Sequence, residues 1–260
     1  KSLGQHWLRD RFILDGIAEE AEIKNGDFVL EIGPGLGTLT SSLLRYAGDT
    51  GEVLSIEFDE NLAKKLPAQF PGKNLTVQNA DFLDFDLSKL PKKYKVAANV
   101  PYYIEKLLTS DNKPSVAALL VQKEVAERIC AKPGDLSILA IASQIYANTE
   151  LGQIVEREFF TPPPKVDSQV VILKAREQNL IEKFNLENNC QVSEKEFFRI
   201  VKAGFAAKRK KISKSLSANL AISKEKSAEI LEACEISPDL RAQDLKINDW
   251  LKISKLFFNR

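Results

Sequence analysis

The stretch Asp27-Phe28-Val29-Leu30-Glu31-Ile32, running straight into Gly33-Pro34-Gly35-Leu36-Gly37, constrains the fold more than any other. A near-continuous apolar run bounded by a glycine loop reads as a strand buried on both faces, which is the habit of parallel sheets. Thr38–Tyr46 then carries helical spacing. Glycines let a backbone turn tightly and approach a ligand closely, and the helix that follows offers free amides to negative groups. The loop is G-x-G-x-G rather than the dinucleotide pattern G-x-G-x-x-G. Glu52–Glu57 reads as a second strand, and Glu57, which closes it, lies 20 residues beyond Gly37. An acid in that place can accept hydrogen bonds from both hydroxyls of a ribose. Strand, glycine loop, helix, strand and acid together predict an α/β fold that binds a nucleoside.

Two more strand ends extend the pattern. Leu75–Gln78 predicts a third strand, followed by Asn79-Ala80-Asp81-Phe82. Asp81 there can accept a bond from an adenine amino group with Phe82 beside the ring, although an Asp in such a place also serves as a turn residue. Lys95-Val96-Ala97 predicts a fourth, followed by Ala98-Asn99-Val100-Pro101-Tyr102-Tyr103-Ile104. An amide, a proline and two aromatics at a strand's C-terminal end suggest methylation of an exocyclic amino group on a base. Such a nitrogen is a poor nucleophile, because its lone pair is delocalised into the ring. The Asn99 oxygen and the carbonyl before Pro101 can each accept one N–H, which holds the nitrogen toward tetrahedral geometry. The Tyr102 ring can stack on the base. In open α/β sheets ligands bind at this edge.

Composition narrows the class. A chain of 260 residues, 44% hydrophobic, predicts one large or two smaller domains with a full core. No run approaches the roughly 18–20 apolar residues of a membrane span, and no secretory pattern is visible. Cys130, Cys190 and Cys234 are odd in number and far apart, which argues against a disulfide framework and for a reducing, cytoplasmic setting. With His6 as the one histidine, no metal site is expected. The absence of Met is unusual for this length and raises the expectation that residues are missing from the chain.

Downstream, Val116–Gln122 predicts a strand followed by a charged helix from Lys123, and Leu136–Ala147 a helix. Glu150–Glu156 and Gln169–Lys174 predict an antiparallel pair around Pro162–Pro164, ending a seven-stranded sheet. Beyond about Arg176 the character changes: Val192–Asn219, Lys224–Cys234 and Ile247–Phe258 space as helices. Lys195–Lys214 holds eight Lys/Arg against one acid, Glu196. The densest part is Lys208-Arg209-Lys210-Lys211. A charge run is commonly a solvated helix face, but this imbalance between Phe205 and Leu216 predicts a phosphate-contacting surface.

With these residues in view, the chain resembles the KsgA/RsmA family of S-adenosylmethionine-dependent rRNA adenine N6-dimethyltransferases. The matching pieces are Gly4-Gln5-His6-Trp7-Leu8, Glu31-Ile32-Gly33-Pro34-Gly35-Leu36-Gly37, Glu57, Asp81, Asn99-Val100-Pro101-Tyr102, Gln122 to Arg128, and Phe160-Thr161-Pro162-Pro163-Pro164-Lys165-Val166-Asp167-Ser168. The last two are far more specific than the glycine loop. The resemblance implies a Rossmann-like seven-stranded methyltransferase sheet over 1–178 and a small helical RNA-binding domain over 179–260. It implies that Gly33, Gly35, Gly37 and Glu57 hold the methionine and ribose portions of S-adenosylmethionine, that Asp81 and Phe82 meet its adenine, and that the arm at His6 and Leu8 closes over it. Asn99, which also borders the cofactor, and Pro101 would hold the target amino group, with Tyr102 stacking on the flipped base and Phe160 covering its other face. The implied substrate is two neighbouring adenines near the 3′ end of small-subunit (16S) rRNA, on an immature small subunit, and the implied state is a monomer. Rivals are an Erm-type enzyme acting on large-subunit rRNA and a non-catalytic RNA-binding assembly or transcription factor. Two departures stand out. His6 replaces the family's usual Asn, and Glu105 follows Ile104 where the family has a Ser/Thr-rich turn before a helix. The short junction predicts residues missing there, with the two Cα atoms farther apart than the ~3.8 Å of a trans peptide.

Overall fold

The computed structural model describes residues 6–99, 103–207 and 209–258. The strands are β1 (Trp7–Leu8), β2 (Phe28–Ile32), β3 (Glu52–Glu57), β4 (Leu75–Asn79), β5 (Lys95–Ala98), β6 (Val116–Gln122), β7 (Ala147–Val155), β8 (Phe160–Thr161) and β9 (Ser168–Ala175). Seven of them form one sheet in the order β4-β3-β2-β5-β6-β9-β7, while β1 and β8 pair separately. Strands β4 to β6 along this order are parallel, and β9 is antiparallel to both β6 and β7. The apolar runs explain the middle of the sheet: β2, β5 and β6 are enclosed over nearly their whole length.

Helices α1 (Arg11–Glu20), α2 (Thr38–Ala47), α3 (Glu60–Lys65), α4 (Ile104–Thr109) and α5 (Lys123–Ile129) connect the strands. Asp10 caps α1 by accepting the Ile13 N–H at 3.1 Å, which satisfies a donor the helix itself leaves open. Ile13, Ile17, Leu39 and Leu43 bury one face of α1 and α2 against Val29 and Val53. Ile104 and Glu105 are consecutive residues in the first turn of α4, and Leu107 N–H reaches Tyr103 O at 3.1 Å. The expected break at this junction is therefore not there: Ile104, Leu107 and Leu108 are buried, and their i, i+3, i+4 spacing lets the helix start at once.

The register positions the site. Ile32 lies beside Ile56 on one side and Ala98 on the other, and Glu57 lies beside Asn79. The C-terminal ends of β2, β3, β4 and β5 are thus level. The chain runs outward from β2 through β3 to β4, then returns to place β5 on the other side of β2. A crevice opens where strand order reverses in this way.

The chain divides into two compact units. One runs up to Glu127 and takes in Ala147–Ala175; the other comprises Arg128–Tyr146 and the chain from Arg176. A division at 178/179 differs from this clustering at residues 176–178 and at residues 128–146. That segment includes α6 (Ile138–Gln144), which packs on α8. Gly134 N–H also donates to Gln243 O at 2.9 Å and Leu180 N–H to Ile145 O at 3.0 Å. Ala147, expected at a helix end, opens β7 instead. The second unit further contains α7 (Leu180–Asn188), α8 (Glu194–Phe205), α9 (Ile212–Leu220), α10 (Lys224–Ala233) and α11 (Ile247–Phe258). The helical run expected over Val192–Asn219 is broken between Phe205 and Ile212. Both of those residues are buried, and α8 and α9 pack on each other, so the chain reverses between them. Gly204 permits a close crossing: a Cβ there would sit 2.3 Å from the Trp250 ring, and Phe205 stacks on Trp250 at 5.6 Å between centroids. No described helix is long and apolar enough to cross a membrane.

Candidate active site

The glycine loop leaves β2 with Gly33, Gly35 and Gly37 at φ of 69°, 55° and 80°. A side chain in that region costs roughly 1–2 kcal/mol, so the loop is built for glycine. Space demands it as well at Gly35, where a Cβ would lie 2.4 Å from the Trp7 ring. The N-terminal arm therefore rests on the loop. Its backbone is fixed by pairing Trp7 with Thr161 and Leu8 with Phe160, and His6 Nδ1 lies 2.7 Å from Pro162 O. Leu8 is buried in the core; it is the arm's anchor.

Glu57 ends β3 with its carboxylate turned onto the loop. Gly35 N–H donates to Oε2 at 3.0 Å and Asp59 N–H to Oε1 at 2.8 Å. A carboxylate offers about four lone-pair sites, so each oxygen keeps one for a ligand hydroxyl. Asp81 caps the short turn Phe82–Asp84 through Leu83 N–H at 2.9 Å, which is the turn role and leaves its second oxygen for a ligand. Phe82 is buried and meets the Tyr103 ring edge-on at 4.9 Å. Burial first, then the charges of Asp81 and Glu57, hold the Tyr103 hydroxyl above its ordinary pKa. Tyr103 is thus packed on the residue next to Asp81. Asn99 follows β5 as an exposed residue, level with Gly33 across the register. Pro101 and Tyr102 lie outside the described residues.

Glu31, fully buried on β2, adds a feature not expected from the sequence. Its Oε2 accepts Thr40 Oγ1 at 2.7 Å and Ser55 Oγ at 2.6 Å, whereas Oε1 is buried with no partner. Burial pushes the carboxyl up to about 7; Ser55 and Thr40 oppose the shift and the Glu57 charge adds to it. Phe58 and Leu83, exposed at 67% and 58%, adjoin Glu57 and Asp81 and were likewise unassigned. For Phe58 the signal was an apolar residue directly after the strand-end acid Glu57; Leu83, two residues beyond Asp81, had no such signal.

Phe160 differs from its expected role as an open face for a base. It is 4% exposed and belongs to the core with Leu8. The arm pairs over it, with Leu8 opposite Phe160.

In the second unit, Arg209, Lys210 and Lys211 are exposed at the turn between α8 and α9. Lys211 is engaged with Asp239 at 2.7 Å. Lys208 lies outside the described residues. Among the described residues no group of His, Cys, Asp and Glu is arranged to hold a metal ion.

Comparison with known proteins accords with this geometry. The family described as ribosomal RNA adenine dimethylase matches residues 1–259. A curated protein of Fusobacterium nucleatum named ribosomal RNA small subunit methyltransferase A is 37% identical, covering 100% of this chain and 98% of that protein. One of the same name from Dehalococcoides mccartyi is 36% identical over 97% of this chain and 86% of its own length. Among solved structures, a dimethyladenosine transferase from Plasmodium falciparum superposes with a TM-score of 0.77 at 29% identity, covering 98% of each chain. The 23S rRNA methyltransferase ErmE superposes at 0.72 and 28%, covering 96% of this chain and 98% of its own. The chain belongs to the ribosomal RNA adenine dimethylase family.

Proposed function

We propose that this chain dimethylates N6 of two adjacent adenines near the 3′ end of small-subunit (16S) rRNA during ribosome assembly, as a cytoplasmic monomer. The methyl donor is S-adenosylmethionine, the donor of this family. The site fits that group on three observations: a loop in which Gly33, Gly35 and Gly37 all hold positive φ, so that its backbone carries no side chains at those positions, an acid at the second strand end with open lone pairs, and a buried acceptor, Glu31 Oε1, without a partner. When bound, the donor supplies a methyl group made electrophilic by its positive sulfur. Glu57 would hold the ribose, Asp81 the adenine amino group, and Phe58 with Leu83 the flat faces of that adenine. The choice of small over large subunit rests on the names of the curated relatives.

The observation that carries the reading is the register of Ile32 with Ala98, which sets Asn99 beside the cofactor loop. Asn99 has an acceptor oxygen but no basic atom. It can hold a target N–H and favour a tetrahedral nitrogen; the proton then leaves to solvent, to which Asn99 is exposed. Pro101 and Tyr102 would complete the hold on the base, which must leave its stack to reach the site. Phe160 would cover the far face of the base only if the arm above it opened. Contacts made only in the transition state lower turnover rather than binding. Asn99→Ala should therefore reduce single-turnover methylation by about 10²–10³-fold, as when one preorganised polar contact is removed. RNA affinity on the same preparations should stay near wild type. A wild-type rate in this variant would make the stretch a structural turn and favour a non-catalytic RNA-binding role.

A further inference from the structure

The arm that rests on the glycine loop continues into a surface that neither the cofactor nor the target base uses. Phe12, in the first turn of α1, is 86% exposed, the highest value among the described large apolar residues. Arg9 and Arg11 beside it are exposed as well. Arg11 is weakly held: its distance to Asp15 is 4.0 Å with a side chain 75% exposed. Asp15 is already engaged by Arg45 and by the Ser42 hydroxyl. Phe12 lies four positions beyond Leu8, so their Cα atoms lie within about 14 Å of each other. An exposed aromatic ring with two exposed guanidinium groups within three positions of it along the chain supplies what unpaired nucleotides need, a face for a base and cations for phosphates.

We infer that Arg9, Arg11 and Phe12 form a stacking platform for unpaired RNA beside the target nucleotide. This rests on the methyltransferase reading above. The platform would keep the strand next to the flipped base from re-stacking, which lowers the cost of holding that base out. Charge decides the partner class: Arg9 and Arg11 are exposed near the ring, while Asp10 is taken up in capping α1 and Asp15 by Arg45 and Ser42, so a polyanion is favoured over an apolar protein face.

The test uses the full chain with two probes, a generic 12-nucleotide single-stranded RNA and unmodified small subunits. Losing one stacked base lowers affinity by about five- to a hundredfold. Phe12→Ala should show that loss on the oligonucleotide, and Phe12→Tyr should bind within about twofold of wild type. Replacing Arg9 and Arg11 together by Ala should reduce the salt slope by about 1.4, at ~0.7 per single-strand phosphate contact. Cofactor affinity should hold in every variant. Folding is not at risk, because Phe12 contributes little to the core and Ala suits a helix. Unchanged oligonucleotide binding by Phe12→Ala overturns the platform, as does an equal loss on a fully paired duplex. Phe12-dependent binding to the oligonucleotide with no methyl transfer to small subunits would uphold the platform and remove the small-subunit reading instead.

Discussion

Glu31 shows how one residue can couple fold and site. The sequence places it two residues before Gly33, inside an otherwise apolar run, and the fold buries it between the first turn of α2 and β3 with one oxygen unpartnered. A carboxylate in such a place is costly when ionised, which is why its pKa rises to about 7. The sign of the consequence follows from which state holds the proton. Below about pH 4.5, the ordinary range of Glu, folded and unfolded chains are both protonated. Between there and 7 the unfolded chain ionises while the folded one keeps its proton, so stability falls as pH rises; above 7 the loss is complete. The span corresponds to roughly 3 kcal/mol at ~1.4 kcal/mol per pH unit. Glu31→Gln keeps the shape and removes the titration. Urea midpoints at intervals from pH 4.5 to 8 should show the variant gaining on wild type across that window. Parallel curves would mean that Glu31 is ionised in the folded chain throughout.

The turn between α8 and α9 is the element on which RNA affinity should depend. It exposes Arg209, Lys210 and Lys211 at the end of a helical hairpin. Replacing all three by Ala should lower the salt slope of RNA binding by about two to three units, since each phosphate contact contributes ~0.7–0.9. A slope equal to wild type would mark the segment as a solvated turn, with Lys211 serving only its exposed ion pair to Asp239. This turn also shows what was and was not legible. The basic composition could be read directly, but the break could not: the run from Val192 to Asn219 contains no proline, and its one glycine, Gly204, lies inside α8. What ends α8 is packing against α9 and Trp250, a tertiary cause. The central strands were legible because enclosed parallel strands are nearly continuous apolar runs, and Gly33, Glu57, Asp81 and Asn99 stood out because each lies at a strand's end or within two residues of it. Phe160 fared otherwise, since its burial depends on pairing with Leu8, 152 positions earlier in the chain. The pairing of Trp7–Leu8 with Phe160–Thr161 has no local signal at two residues per strand.

At the scale of the whole molecule, the chain combines a seven-stranded sheet with a reversal between β2 and β5 and a set of helices carrying a basic turn. The sheet supplies one edge at which the glycine loop, Glu57, Asp81 and Asn99 are gathered, in the roles proposed above of cofactor loop, ribose acid, adenine acceptor and target-holding amide. That arrangement accounts for methyl transfer to an amino group but is shared by relatives named for either ribosomal subunit. The most direct measurement is therefore transfer of labelled methyl from S-adenosylmethionine to unmodified small and large ribosomal subunits in parallel, with the modified nucleotides mapped. Two adjacent N6-dimethyladenines near the 3′ end of the small-subunit rRNA, with no transfer to the large subunit, is the expected result. Methylation confined to the large subunit would contradict it, as would none on either.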